Sequence, residues 1–435
     1  MRLGIFFIKK SAVWGKSQTA ERLYCELAKQ LKEASRVLIA NDSNEGVKLQ
    51  YGRREGGGYF AFHHAFYRFR FVLARNYHKD RLRLHNVLNT HGKGLTGHFV
   101  DRREQTGVVF DGVFRQIYEV DFCRNPFSLR IFPAYRQLKK VIEAGGYDVV
   151  HCNTPVAGIL TRFACRKLRR QGKVKVFYTA HGFHFYQGAP RENWILWYPI
   201  EKLFARMTDV LITISEEDYR LASEKFSCTV VRHHGVGANS KKFYIMDGEE
   251  KAKIRQVLGI PADTKVLVNI GELLPNKNQK VLIEVMKLVT EQYPDTLLLI
   301  AGDGPERNNL LRLIKENGLS EHIRLLGYTT DVHKLLNICD VMVACSIREG
   351  LPISVMEAML CGKPVVASIN RGHRELVEEN VTGYLVSSQS PTQFAERIRE
   401  VFSSGRDYSA EALRKVQPFT DECVTREMRE LYGNI

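Results

Sequence analysis

Short apolar runs of strand length alternate with helical stripes along most of this chain. Val341 to Cys345 is one such run, and it ends in a loop, Ser346 to Leu351, that carries Arg348 and Glu349. Pro352 stands where a helix begins. Val355, Met356, Met359 and Leu360 then recur at helical spacing until Cys361-Gly362 ends the pattern. Lys363-Pro364 leads into a further buried run, Val365 to Ala367. Strand, loop, helix and strand make one right-handed crossover unit. The same alternation predicts strands over 148–152, 174–179, 210–214, 229–232, 266–270, 297–301, 323–326 and 382–386. An opening strand falls in MRLGIFFIKK, and a helix follows with Leu23, Leu27, Ala28 and Leu31 on one face. A last helix spans 419–432. Strands and helices that alternate in this way build α/β domains on parallel sheets.

Such sheets bind ligands outside the carboxyl ends of their strands. Glu349 belongs to a loop at that edge, and Glu357 lies about one and a half turns into the helix that follows. The loop amides and the helix N-terminus supply a positive end for an anion. A carboxylate in the same loop suits a polyol better than a phosphate. Hydroxyls, a phosphate and a ribose together describe a nucleotide sugar.

Glu349-x7-Glu357, set in REGLPISVMEAMLCGKPVVAS, resembles the signature of the large retaining glycosyltransferase family 4. The resemblance implies the GT-B arrangement, two Rossmann-like domains facing a cleft, with the nucleotide held mainly by the second. It implies a first domain over 1–235, a donor-binding domain over 236–415, and a final helix, 416–435, that packs back on the first. TAHGFHFYQGAP and NWILWYPIEKLFARMTDVLITIS narrow the likeness to the subgroup that builds bacterial exopolysaccharide and capsule repeat units on a lipid carrier.

Residue by residue, the resemblance makes Lys277 the cation at the donor diphosphate and His181 the histidine approaching the donor sugar. Glu349 would hold sugar hydroxyls and Glu357 the ribose. Arg348, Gly350 and Leu351 complete the donor loop. Gly271 and the Gly302 turn lie along the donor, and Gly327-Tyr328 pass the nucleobase. Lys16 and Ser17 are candidates for the donor phosphates or the acceptor. Gly15-Lys16-Ser17 also looks like the end of a P-loop, but position 10 is Lys where that motif needs Gly, which removes the NTPase alternative. Three positions depart from the family pattern: Asn153 for a histidine, Asn239 for an aspartate, and Glu272 for an arginine after Gly271. The last departure removes one expected cation, which Arg348 is placed to replace.

Charge changes the picture at one end only. The whole chain carries +16, yet residues 1–200 hold 34 Lys/Arg against 15 Asp/Glu, a balance of +19, and the remainder balances at −3. Tyr59 to Arg83 interleaves aromatics with Arg68, Arg70, Arg75, Lys79, Arg81 and Arg83, a pattern suited to an anionic membrane surface or, alternatively, to a core helix pair with solvated arginines. Arg162 to Lys175 adds seven basic residues and no acid. No nucleic-acid module accompanies these patches, so no nucleic-acid partner is expected. The nine cysteines are scattered without C-x-x-C or zinc spacing, and MRLGIFFIKK is too short for a signal peptide, which points to the cytoplasmic face of a membrane. No Asp-x-Asp occurs, so neither a metal site nor another cofactor is expected. The expected activity is transfer of a sugar from a nucleotide donor, UDP-linked by expectation, to a lipid-carried saccharide. A GT-B sugar-nucleotide epimerase and a binding protein with a vestigial site are the alternatives.

Overall fold

The computed structural model describes residues 3–6, 37–40, 73–74, 84–85, 98–100, 116–118, 120, 131–153 and 155–433. Lys16, Ser17 and all of the aromatic-basic run except Leu73–Ala74 lie outside the described residues. The chain divides into two compact units, Met1–His233 with Glu427–Ile435, and His234–Arg426. The first unit therefore ends at His233 where the sequence put 235, and the chain returns to it at Glu427 where the sequence put 416.

In the first unit the strand order is Thr229–Arg232, Val210–Thr213, Lys175–Ala180, Val149–Asn153, Leu3–Phe6, Val37–Ala40, Leu73–Ala74, His98–Val100, Gln116–Tyr118 and Leu84–His85. All neighbours are parallel except the last pair, Leu84–His85 against Gln116–Tyr118. The second unit has a six-stranded parallel sheet in the order Ile323–Gly327, Thr296–Ala301, Lys265–Ile270, Val341–Ala344, Val365–Ser368 and Gly383–Val386. Its strands are continuous apolar runs because helices cover the sheet, and Thr296–Ala301, Val341–Ala344 and Val365–Ser368 are buried along their whole length. The predicted strands fall within a residue or so of the observed ones, the usual scatter of element ends.

Helix Ile353–Leu360 joins Val341–Ala344 to Val365–Ser368, which pair directly in the order Met342↔Val365, Val343↔Val366, Ala344↔Ala367. The helix is buried on nearly every side, Glu357 included, rather than along one stripe. Two helices not singled out in the sequence, Pro391–Ser404 and Ser409–Val416, complete this unit. The first has clear punctuation: Ser390 caps it by accepting from Gln393 N, Pro391 opens it, and Gly405 closes it in the left-handed region. Among the described residues no helix is long and apolar enough to cross a membrane.

The basic stretch 162–175 is less of a patch than its sequence implies. Arg162 is 1 % exposed. Its two terminal nitrogens each lie 2.9 Å from Glu201 Oε2, its Nε donates to Gly158 O at 3.0 Å, and Tyr178 OH donates to Glu201 Oε1 at 3.1 Å. Arg169 pairs with Asp209 at 2.9 Å. Two of the seven cations are thus spent inside the unit, and Arg166, Lys167, Arg170, Lys173 and Lys175 remain exposed.

Breaking a buried pair on one side strands the other charge, whereas replacing both sides removes the desolvation cost as well. Glu201→Gln should therefore destabilise the first unit by about 3–5 kcal/mol, and Arg162→Met with Glu201→Leu by much less. Urea denaturation of the three proteins checks this, and equal losses for the single and double variants would contradict it.

Candidate functional site

The site is built where three strands of the second unit end. Strand Lys265–Ile270 runs into Gly271 and then into a tight turn, Pro275–Lys277. Asn278 closes the turn in the left-handed region (φ 55°), where asparagine is enriched among non-glycine residues, and its Nδ2 reaches across to donate to Ser388 O at 2.9 Å. The neighbouring loop, after strand Val341–Ala344, is tied to this turn at three points. The Cys345 thiol donates to Lys277 O at 3.1 Å, Ile347 N donates to Asn276 O at 2.8 Å, and Asn276 Nδ2 donates to Arg348 O at 3.0 Å. Burial pushes the Cys345 thiol up to about 12, so it stays protonated and keeps donating.

These ties bring together two residues 72 apart in sequence: Lys277 Nζ lies 2.6 Å from Glu349 Oε1. Lys277 is 7 % exposed and Glu349 only 3 %. The sequence placed Glu349 in a loop at the strand ends, and the structure keeps it there but folds its carboxylate inward onto the lysine. The other oxygen, Glu349 Oε2, is buried and accepts no hydrogen bond from a described residue. A buried acceptor without a donor costs about 1–3 kcal/mol, more when charged, and a ligand hydroxyl would remove that cost.

The glycines set how closely the backbones approach. Gly302 has φ 155°, and a Cβ there would meet Gly271 O at 1.8 Å, while Gly302 N donates to Gly327 O at 2.8 Å. Gly271, Gly302 and Gly327 therefore line up across three adjacent strand ends. Gly350 O would lie 2.8 Å from a Cβ on Gly372, and Leu351 packs on Gly235. Arg348 is exposed, and its guanidinium makes no ion pair with a described residue. Tyr328 is half exposed beside Gly327.

Helix Arg371–Leu376 brings in a residue that the sequence analysis did not select. His373 is fully buried, and its Nδ1 lies 2.6 Å from Ser368 O. Together with Lys277, Glu349, Ser346, Pro352 and Ser354 it lines one open recess. A histidine a few residues past a strand end was the available signal. Arg307 was missed as well: one of its terminal nitrogens is buried without a hydrogen-bond partner among the described residues, 3.8 Å from where a Cβ on Gly327 would stand.

Glu357 sits apart from the Lys277–Glu349 pair. It is 9 % exposed, and burial pushes its carboxyl up to about 8, with Lys242 the cation that partly offsets the effect. Two glutamates eight apart therefore occupy opposite electrostatic settings, one paired with a cation and one held as a neutral acid near pH 7.

His181 belongs to the first unit. It follows strand Lys175–Ala180, and its Nε2 lies 3.0 Å from Asn153 Oδ1 at the end of the next strand. The loop after it is fixed by Phe183 N donating to Asp218 Oδ2 at 3.1 Å, and His184 stacks on Trp197 with ring centres 4.7 Å apart. Lys16 and Ser17 lie outside the described residues.

Comparison with known proteins agrees with this geometry. The family model "Glycosyl transferases group 1" matches residues 250–416, and the model "Glycosyltransferase Family 4" matches 73–236. EpsD of Bacillus subtilis (strain 168), itself assigned as a glycosyltransferase, is 40 % identical over 73 % of this chain and 84 % of its own length. The Escherichia coli UDP-Gal:alpha-D-GlcNAc-diphosphoundecaprenol alpha-1,3-galactosyltransferase is 28 % identical over 67 % of this chain and 76 % of its own. Among solved structures, HepE from Anabaena in complex with UDP aligns with TM-score 0.67 at 18 % identity over 100 % of both chains. Sucrose-phosphate synthase from Thermosynechococcus elongatus aligns with TM-score 0.63 at 21 % identity over 77 % of this chain and 88 % of the other. With two parallel-sheet α/β units of the GT-B type and these relatives, the chain belongs to the glycosyltransferases.

Proposed function

We propose that this enzyme transfers a sugar, with retention, from a UDP-linked donor to a lipid-carried saccharide during surface-polysaccharide synthesis. The observation that carries the reading is the buried Lys277–Glu349 pair with its unsatisfied Oε2 at the strand ends. A phosphate needs the cation, a sugar hydroxyl needs the lone carboxylate oxygen, and the two are presented side by side. Glu357, buried and protonated, waits for the ribose diol. The named activity of the E. coli relative, a UDP-galactose donor with a diphosphoundecaprenol-linked acceptor, supports the donor and acceptor classes.

In this mechanism Lys277, Arg348 and the helix end at Ile353 stabilise the leaving diphosphate as the glycosidic bond breaks. The transition state is oxocarbenium-like. The acceptor hydroxyl attacks from the face that the phosphate leaves, and its proton passes to the departing phosphate oxygen. Glu349 positions sugar hydroxyls and is not a base. His181 is the residue of the first unit assigned to the donor sugar.

The acceptor's carrier implies work at an anionic bilayer. The +19 balance of residues 1–200 supports it, as does the outer face of helix Arg191–Ala205, where Ile195 (76 % exposed) and Leu203 stand among Arg191, Lys202 and Arg206. Exposed apolar side chains among three cations and one acid, Glu192, fit a lipid interface.

The direct test is incubation with a panel of UDP-hexoses and a diphospho-lipid saccharide, in excess EDTA. Sugar transfer that continues under EDTA is expected. Product from donor alone would favour the epimerase instead, and activity restored only by magnesium or manganese would overturn the lysine-based phosphate site.

Glu349→Ala should abolish transfer and, because it leaves Lys277 buried and alone, should also destabilise the second unit by about 3–5 kcal/mol. Adding Lys277→Met should return much of the stability and none of the activity. Denaturation and turnover measured on both proteins separate the two effects.

Glu357 offers a pH signature. Its carboxyl is mostly protonated at pH 7, and accepting from a ribose diol favours the ionised form, so UDP binding should release a proton. Affinity should rise as pH climbs from 6 through about 8. Calorimetry at pH 7 in buffers of different ionisation enthalpy reads the proton directly. Glu357→Gln should remove the proton release and weaken UDP by about 1.5–3 kcal/mol. Unchanged affinity together with unchanged proton release would sink the role.

A further inference from the structure

The recess beside the Lys277–Glu349 pair holds a second acceptor, and its chemistry is set by the protein. His373 Nδ1 lies 2.6 Å from the carbonyl oxygen of Ser368. A carbonyl can only accept, so Nδ1 carries the hydrogen and donates it. The neighbouring Asn370 amide fits this tautomer. Its Oδ1 accepts from His373 N at 3.0 Å, and its Nδ2 donates to Ser346 O at 2.9 Å, so the 2.9 Å approach of Nδ2 to Nδ1 is packing and not donation. Burial lowers the imidazole's affinity for a second proton, with the nearby Glu349 acting the other way and Lys277 adding to burial. The ring is thus neutral, with Nε2 a bare lone pair. Every ring hydrogen bond that His373 makes to a described residue goes through Nδ1.

Position is as constrained as protonation. A Cβ on Gly372 would stand 2.9 Å from Glu349 Cβ, so the turn that carries His373 is pressed against the glutamate loop. Both residues line the same recess. One wall therefore presents Glu349 Oε2 and His373 Nε2, two acceptors that receive no hydrogen bond from a described residue.

Resting on the donor reading above, we propose that His373 is a specificity-determining residue: its Nε2 accepts from one hydroxyl of the donor sugar while Glu349 Oε2 accepts from another. The ligand class is a sugar that brings two O–H donors to this wall.

Two experiments on the full chain test this. The first uses the wild-type enzyme and whichever of UDP-glucose, UDP-galactose or their N-acetyl forms it turns over, together with the monodeoxy and deoxyfluoro analogues. Fluorine can accept weakly and cannot donate. At two ring positions, exchanging OH for F should therefore cost as much as exchanging it for H, about tenfold or more in kcat/KM. One such position or none overturns the pairing.

The second experiment assigns a position to His373. His373→Asn keeps a side-chain N–H within reach of Ser368 O and lacks the Nε2 acceptor, while His373→Gln places a carbonyl oxygen near where Nε2 was. His373→Asn should leave UDP affinity within twofold and lower kcat/KM for the UDP-hexose about tenfold or more, with His373→Gln partly restoring it. It should add no penalty for the analogue lacking the hydroxyl that His373 reads. Equal loss of UDP and UDP-hexose affinity would show a purely structural residue, and unchanged transfer would show no role. If His373→Asn fails to fold, the analogue series on the wild type still decides the pairing, and His373→Gln, measured against the same analogues, decides the assignment: an unchanged analogue pattern at reduced UDP affinity would show a structural residue. A wild type that binds UDP and no UDP-sugar overturns the donor reading itself, a result distinct from failure of the histidine's part alone.

Discussion

Burying one carboxylate oxygen without a donor is the constraint around which the second unit is arranged. Glu349 can sit at the strand ends only because Lys277 answers its other oxygen at 2.6 Å. Lys277 is there only because Cys345, Asn276 and Ile347 stitch two loops from non-consecutive strands together. The Gly350–Gly372 contact then brings a third loop up behind the glutamate. Each tie is a modest hydrogen bond or a missing methyl group. Together they hold a charged pair in a place where neither charge would be stable alone. Enzymes accept such local cost where the missing partner is the substrate.

Environment then divides the labour between like residues. Glu349 and Glu357 are chemically identical and share one loop and one helix, yet one faces a lysine and the other a nearly apolar helix interior. A neutral buried acid responds to whatever brings it a hydrogen-bond donor.

Much of the architecture was legible from the chain, for specific reasons. Buried parallel strands such as Leu297 to Ala301 are unbroken apolar runs, too short for an ordinary helix and bounded by turn residues such as Gly302 and Gly304. The Glu349-to-Ser368 segment carried its strand, loop and helix in plain sequence. Burial of polar groups was not legible. Arg162 reads as one more cation in a basic run until Glu201 is seen 2.9 Å away, 39 residues later in the chain. Glu349 reads as an exposed loop acid for the same reason: its lysine is 72 residues off. His373 was hidden by its neighbours, since RGHRELV looks like an ordinary polar helix start, and only the fold shows that its ring turns inward. Partners distant in sequence decide what a charged or polar residue does, and periodicity does not report them.

The closing helix carries a consequence for biosynthesis. Helix Asp421–Gly433 begins in the second unit, and its end belongs to the first. There Tyr432 OH lies 2.5 Å from His151 Nδ1, its ring stacks on Phe177, and the other nitrogen of His151 meets Thr179 Oγ1 at 2.7 Å. Burial holds that imidazole neutral, pushing it down to about 3. Strands Val149–Asn153 and Lys175–Ala180 leave the ribosome long before Tyr432 does, with the whole of the second unit translated in between. Domains usually fold in order of emergence. In this chain the unit made first is finished last, and until then His151 and Phe177 at the middle of its sheet are without the side chain that covers them.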